Sequence, residues 1–152
     1  MNDQWTIWTK ASFTQYFAAL AQTLSIGFSI DQMDSDAANT LSDYINLRVQ
    51  NDITPIKSDE DRIVVGVEIL LHYMKNPQDI YRDEYLKGKI NVALSGCIPF
   101  MQTGYPGAPN TVLGFFQLQK VRNPIRSMAL INKDQTSRVA EIVFTAPFEI
   151  IP

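Results

Sequence analysis

Hydrophobic residues occupy alternate positions along Asp61 to Lys75, DRIVVGVEILLHYMK. Every odd position from 63 to 73 is apolar, whereas the even positions mix Arg62, Glu68 and His72 with glycine and apolar residues. A period of two residues is typical of a strand with one buried face. The pattern therefore predicts a long strand over residues 61–75, which dominates the sheet it joins.

Four other segments are predicted to be strands. Residues 43–50 place Ile45, Leu47 and Val49 on one face and polar residues on the other, as expected of a half-buried strand. We expect this strand to pair antiparallel with residues 61–75. The remaining strands are predicted at residues 114–122, 126–131 and 139–148.

Two segments have the hydrophobic spacing of amphipathic helices. The periodic residues are Phe13, Phe17, Leu20 and Leu24 in the first segment, residues 10–25, and Leu86, Ile90, Leu94 and Cys97 in the second, which follows Pro77. Pro77 suits the first turn of a helix because its missing N–H would be unpaired there in any case. Gly88 weakens the second helix by about 1 kcal/mol relative to alanine. Between the first helix and the first strand, residues 31–39 are predicted to form a surface loop or a poorly formed turn of helix.

Residues 97–112 are expected to form one long loop. The stretch from Pro99 to Asn110, PFMQTGYPGAPN, contains three prolines and two glycines. The loop carries more large apolar side chains than it can bury by itself, namely Phe100, Met101, Tyr105 and Val112. Two roles therefore remain open for this loop, contact with a partner and packing over the core.

The predicted order is helix, strand, strand, helix and three strands. Paired strands separated by helices favour an α+β fold over a parallel βαβ series. We predict a single domain over residues 1–152, with a mainly antiparallel sheet of about four to five strands and two helices packed on one face.

Composition and charge narrow the function classes. The 152-residue chain has 13 basic and 16 acidic residues, a net charge of −3, and its Lys and Arg are scattered singly. This pattern disfavours sequence-independent DNA binding. The opening MNDQWTIW lacks the features of a signal peptide, and no window approaches the ~20 apolar residues of a membrane helix. We expect a product made in the cytosol, without membrane contact, whose single Cys97 is buried and inert.

Glu68 and His72 are the most suggestive acid and base pair. On a helix, a spacing of four residues would put both side chains on one face, but on a strand it separates them by about 13 Å, beyond hydrogen-bond reach. The strand prediction therefore removes this pair, and we expect His72 to be a partly exposed residue of the sheet or of an interface.

No metal or phosphate motif is complete. One histidine and one cysteine cannot make a zinc site. The acidic cluster Asp31, Asp34 and Asp36 lacks the glycine and glutamate positions of an EF-hand. The Gly- and Pro-rich stretch of residues 104–109 has neither the Walker spacing nor its lysine, and no G-x-S-x-G sequence occurs. We therefore predict no catalytic, cofactor-binding or metal-binding residues, and no cofactor.

The order of elements resembles that of the tail terminator, or tail completion, proteins of long-tailed bacteriophages. The features that carry the resemblance are the helix at Phe13 to Leu24, the strand at Tyr44 to Val49, the long strand at Ile63 to Met74, the helix at Ile80 to Leu94, and the late strands that end in AEIVFTAPFEI. The loop at residues 97–112 has no counterpart in this pattern.

The resemblance implies a virion structural protein, made in the bacterial cytoplasm and located at the tail end or neck. Such a subunit forms a homo-oligomeric ring, commonly a hexamer, that caps the tail tube, stops its elongation and joins the tail to the head connector. DNA passes through the channel without sequence-specific binding. The residues that we expect at subunit or partner contacts are Arg62, Glu68, His72, Phe100, Met101 and Tyr105.

Two alternatives remain open. One is another phage neck, head-closure or tail-tube subunit, which differs from a terminator in its partners. The other is a small α+β ligand-binding or enzymatic domain with a pocket under the loop at residues 97–112. Loss of activity on replacement of both Glu68 and His72 would favour an enzyme, whereas ring formation would favour an assembly protein.

Overall fold

The chain forms two helices and seven strands in the part that the structure describes. The computed structural model describes residues 4–31, 43–55, 61–76, 78–102, 111–131 and 139–150, with the backbone alone at 51–55, 61, 62, 130, 131 and 139. The helices are α1 (Trp5–Leu24) and α2 (Arg82–Ser95). The strands are β1 (Gly27–Ile30), β2 (Tyr44–Pro55), β3 (Asp61–Met74), β4 (Ile98–Gln102), β5 (Thr111–Leu118), β6 (Arg126–Ile131) and β7 (Val139–Ile150).

The seven strands form one mixed sheet in the order β1-β2-β3-β7-β5-β4, with β6 also paired to β7. Strands β1 and β2 run parallel, whereas the other described pairs are antiparallel. The central strand β3 pairs with β2 from Tyr44↔His72 to Pro55↔Asp61, and with β7 from Ile63↔Ile150 to Met74↔Val139. On its second edge, β7 pairs with β6 at one end and with β5 at the other.

The odd positions of β3 face the core. All six, from Ile63 to Tyr73, are buried, which confirms the period read from the sequence. Because the register places odd positions of β3 opposite Leu47 and Phe144, the apolar faces of three strands form one continuous surface. Both helices contribute buried residues to the same core, so they pack on this one face of the sheet.

Aromatic rings fill the space between α1 and the sheet. The Phe13 ring centroid lies 4.9 Å from that of Phe116 and 5.3 Å from that of Phe148. Phe100 contacts Phe116 edge-on at 5.2 Å. Rings at these distances and tilts interact favourably beyond the burial of their area. The three strands β4, β5 and β7 are therefore held to α1 by one aromatic cluster.

Helix α1 begins at Trp5, five residues before the predicted start at residue 10. Buried Trp8 extends the apolar stripe toward the N-terminus. Inside the helix, the Ser12 hydroxyl donates to the Trp8 carbonyl at 2.6 Å and accepts from the Met101 N–H at 2.9 Å. This second bond ties α1 to β4. The helix ends where Ser25 adopts a positive φ of 56°, with a C-terminal bond from the Ile26 N–H to the Ala21 carbonyl.

Asp43 anchors the start of α2. One carboxylate oxygen accepts a 2.8 Å hydrogen bond from the Met74 N–H at the end of β3, and the other pairs with the Arg82 guanidinium at the start of α2. The first turn of α2 also carries Asp83 and Glu84, whose negative charge is favourable at a helix N-terminus. Further along, the Tyr16 hydroxyl donates to the Ala93 carbonyl at 3.1 Å and links the two helices.

The predicted fold class α+β is confirmed, but the sheet was predicted with too few strands and with mainly antiparallel pairing. The sheet has seven strands rather than about four to five, and its parallel β1–β2 pair makes it mixed. Strand β1 was missed because its four residues are too short to display a period. Strand β4 was missed because Pro99 reads as a breaker, yet β4 lies at the end of the strand order, where a missing N–H is tolerated.

The predicted loop at residues 97–112 is therefore wrong at both ends. Residues 98–102 form β4 and residues 111–112 belong to β5, while residues 103–110 lie outside the described part of the chain. Cys97 is exposed rather than buried. Helix α2 begins at Arg82 rather than next to Pro77, and residues 32–39 of the predicted acidic loop also lie outside the described residues.

We expect Tyr73 to make stability depend on pH in the alkaline range. Burial raises the pKa of the Tyr73 hydroxyl, and its hydrogen bond to Asp83 raises that pKa further. A raised pKa means that the stabilisation is fully present below the unfolded value of about 10 and is lost as pH rises through the folded value. In denaturant titrations between about pH 8 and pH 11.5, Tyr73→Phe should flatten this decline. Equal slopes for wild type and Tyr73→Phe would contradict the prediction.

Candidate functional site

The sheet surface opposite the helices, here called the outer face, is formed by the even positions of β3 and their neighbours. Among its described residues, one row crosses four strands through Arg48, Glu68, Thr145 and Arg126, each opposite the next. Arg48, Thr145 and Arg126 are exposed and Glu68 is half-buried. Opposite charges on adjacent strands contribute roughly 0.2–1 kcal/mol per pair. This row gives the outer face a polar, charged centre.

A groove of about 490 Å³ lies on the outer face beside this row. Its floor includes Gly66, with Gln50 and Pro147 as the cross-strand partners of that glycine. A side chain at Gly66 would first meet Gln50, its Cβ lying 3.8 Å from the Gln50 Cβ, so the missing side chain leaves a depression rather than relieving a clash. The groove is therefore shaped by a position without a side chain in the middle of the longest strand.

The wall of the groove is the connection between β5 and β6. Residues 121–124 line it together with Arg126, and Asn123 adopts a left-handed φ of 52°. The Gln119 N–H donates to the Pro147 carbonyl at 3.0 Å, which fixes the start of this connection against β7. Arg122 and Arg126 thus line the groove on the side of this connection, and Glu68 lines it from β3. Such a groove can bind groups that present both a carboxylate and a cation or amide.

His72 lies in a second row of the outer face, between Tyr44 and Glu141. It is only 4% exposed, contrary to the expectation of a partly exposed residue. Its ring stacks on Tyr44 with centroids 4.6 Å apart, and its Nε2 atom lies 4.0 Å from Glu141 Oε1. His72 is therefore a buried residue of the sheet in the described fold, with Tyr44 and Glu141 opposite it on the two neighbouring strands.

Glu68 and His72 lie on the same face of β3, four residues apart along the strand. Because residues 61–74 form a strand, the spacing of about 13 Å between them follows from strand geometry. Between them, at position 70, lies half-buried Leu70. The structure therefore does not bring this acid and base together.

The other predicted contact residues are distributed widely. Phe100 is 1% exposed and belongs to the core, so it is not a surface contact in this fold. Met101 is half-buried on β4, next to the Ser12 bond. The Arg62 side chain and all of Tyr105 lie outside what the structure describes. Of the six predicted contacts, Glu68 alone is shown at the groove.

The groove wall was missed because no periodic pattern marks it. Arg122, Asn123 and Pro124 read in the sequence as the end of a strand followed by a turn. A glycine in a strand interior often marks a close approach or a bulge, so Gly66 was the signal that could have pointed to this place.

In the described part of the chain, no three His, Cys, Asp or Glu residues are grouped to hold a metal ion. Neither described helix is long and apolar enough to cross a membrane.

Comparison with models of known protein families gives no match, and comparison with curated proteins gives no significant match.

Proposed function

We propose that the protein is a tail terminator of a long-tailed bacteriophage, a structural subunit that forms a ring on the last disc of the tail tube. The observation that carries this proposal is the asymmetry of the sheet, with both helices packed on one face and a grooved, charged row on the other. A ring needs a stiff subunit whose polar surface stays soluble before assembly. This combination suits a subunit contact better than it suits catalysis.

The pairing of the central strands supports the stiffness that a ring requires. Strands β2 and β3 are paired at twelve successive positions, and β3 and β7 also at twelve. Long paired strands hold the groove and the row from Arg48 to Arg126 in one fixed geometry. In the proposed ring, the outer face meets either the neighbouring subunit or the tube.

The mass of the purified protein and its effect on tail tubes test the proposal. We expect light scattering and negative-stain microscopy to show rings of about six subunits, or a smaller species that binds tube ends and stops their elongation when mixed with tail-tube subunits of the source virus. A strictly monomeric protein that neither binds tubes nor limits their length would contradict the proposal.

A variant that fills the groove tests whether the groove is the surface used in assembly. Gly66→Leu places a side chain where an added Cβ would lie 3.8 Å from its nearest neighbour, so the fold tolerates it while the groove is filled. We expect at least a tenfold loss of ring formation or tube capping, which corresponds to about 1.4 kcal/mol. Ala19→Leu, the same type of enlargement at an exposed position of α1, serves as the matched control and should assemble normally.

A further inference from the structure

Helix α2 carries apolar residues on two opposite faces. Leu86, Ile90 and Leu94 are buried against the sheet side. On the opposite side, Tyr81, at the N-cap, is 74% exposed, Tyr85 is 55% exposed and Val92 is 72% exposed. At about 100° per residue these three side chains lie on one line along the helix. We call positions 81, 85, 88 and 92 the outer stripe of α2.

The spacing of the outer stripe is that of the apolar seam along which two helices pair in a coiled coil. Its positions are separated by four, three and four residues, the spacing of a and d positions in a heptad. A surface helix of a monomer needs one apolar stripe, and α2 already buries one in its own core. The outer stripe therefore presents three large apolar side chains that the described fold does not cover.

Gly88 lies in the middle of the outer stripe. A Cβ at this position would meet nothing within 4 Å, so the described packing of the chain gives no reason for a glycine there. A glycine inside a helix is less favourable than alanine by about 1 kcal/mol. A second helix that packs closely against this position gives such a reason, because a glycine leaves room for tyrosine rings beside the backbone.

The charged residues beside the outer stripe, Glu84 and Lys89, indicate which partner it fits. With Tyr81 and Gly88 at d positions and Tyr85 and Val92 at a positions, Glu84 falls at g and Lys89 at the following e position. In a parallel pair of identical helices, the g residue of one copy faces the e residue of the other, five positions later. Glu84 of each copy then meets Lys89 of the other. The chain is thus complementary to itself along this seam.

The contacts of these two residues within one copy leave them available to the seam. The Glu84 side chain is 76% exposed and accepts from Lys87 at 3.3 Å through one of its two oxygens. The Lys89 ammonium lies 5.6 Å from the centroid of the Tyr85 ring, directly beside the outer stripe. An antiparallel pair would instead bring like flanks together and place the two Lys89 side chains near each other around Gly88, which is unfavourable.

We propose that α2 pairs in parallel with α2 of a second copy of this chain, through the outer stripe and two Glu84–Lys89 contacts. The contact is two-fold and isologous, so it is distinct from the heterologous contacts that a ring requires and stands apart from the proposed function. A single helix pair is small, so the dimer belongs to the weak class of interfaces.

Sedimentation velocity over about 5–300 µM tests the pairing. For the species that has not entered a ring, we expect the mass to rise from that of a monomer toward that of a dimer. Val92→Ser should raise the dissociation constant at least about tenfold, because an apolar side chain leaves the seam. Val112→Ser, the same change at an exposed valine of β5, is the matched control and should not alter it. A wild type that is monomeric throughout, or a dimer unaffected by Val92→Ser, would overturn the proposal.

A charge swap separates the seam from a general loss of structure. Glu84→Lys alone and Lys89→Glu alone should each raise the dissociation constant by about threefold or more, since each creates two like-charge contacts. The double variant, Glu84→Lys with Lys89→Glu, should restore dimerisation to near the wild-type value. Failure of the double variant to recover, with circular dichroism unchanged from wild type, counts against the Glu84–Lys89 contacts.

Cross-linking decides the orientation. In a parallel pair, each a position faces its own copy, so Val92→Cys in a Cys97→Ser background should form a disulfide between two copies under Cu²⁺–phenanthroline, and Tyr85→Cys should do the same. In an antiparallel pair each a position would instead face a d position, so neither Val92→Cys alone nor Tyr85→Cys alone would cross-link. Absence of the disulfide in both variants, at concentrations where the wild type is a dimer, would overturn the parallel arrangement.

Discussion

Replacement of Phe116 by alanine is expected to lower the free energy of unfolding by about 3–5 kcal/mol. Phe116 is fully buried, and its ring lies 4.9 Å from that of Phe13 and 5.2 Å from that of Phe100. Its removal opens a cavity where α1, β4 and β5 meet, and the surrounding rings can close it only in part. Guanidinium titration followed by far-UV circular dichroism measures the loss.

Phe115 provides the matched control for this measurement. It precedes Phe116 on β5 but is 53% exposed, because successive residues of a strand point to opposite faces. Phe115→Ala should therefore change the free energy of unfolding by less than about 1 kcal/mol. Similar losses for the two variants would show that the faces of β5 are assigned wrongly.

Asp43→Ala is expected to have the second-largest effect, a loss of about 2–4 kcal/mol. The Asp43 side chain is 15% exposed, accepts from the Met74 N–H at 2.8 Å and pairs with Arg82. Its removal leaves that N–H without its charged acceptor and detaches the first turn of α2 from the end of β3. Hydrogen exchange at the Met74 amide should accelerate together with the loss of global stability.

The effect of Asp43 is distinguished from a general effect of charge by Asp79→Ala. Asp79 is exposed and lies just before α2, so its removal changes the net charge by the same amount. We expect a change within about 0.5 kcal/mol. Asp43→Asn should fall between the two variants because an amide oxygen can still accept from Met74. An Asp43→Ala variant as stable as Asp79→Ala would refute the anchoring role.

Periodicity predicted the central sheet because long strands repeat their pattern many times. The odd positions of β3 from Ile63 to Tyr73 and the run from Arg126 to Ile131 were located from the sequence, the latter with its observed bounds. Strand β1 offers only four residues, and β4 combines Pro99 with large apolar side chains. In these short segments pairing with a neighbour, rather than local pattern, decides the structure.

The candidate site was less predictable than the fold. Glu68 was singled out correctly as a residue of the mixed face, but the groove beside it depends on the register that sets Gly66 opposite Gln50 and Pro147. Register joins residues about eighty positions apart in the chain, and no local pattern encodes it. The same holds for His72, whose neighbours Tyr44 and Glu141 lie on two different strands.

The position of β7 in the sheet has a consequence for synthesis. This strand is the last in chain order among those described, yet it lies between β3 on one side and β5 and β6 on the other. Until the ribosome has released residues 139–150, β3 has an open edge and the two halves of the sheet have no strand to join them. A nascent chain therefore carries an unpaired, aggregation-prone edge until residues 139–150 emerge. Because the contacts that join the two halves of the sheet span long stretches of sequence, we expect this last step to be the slow one in folding.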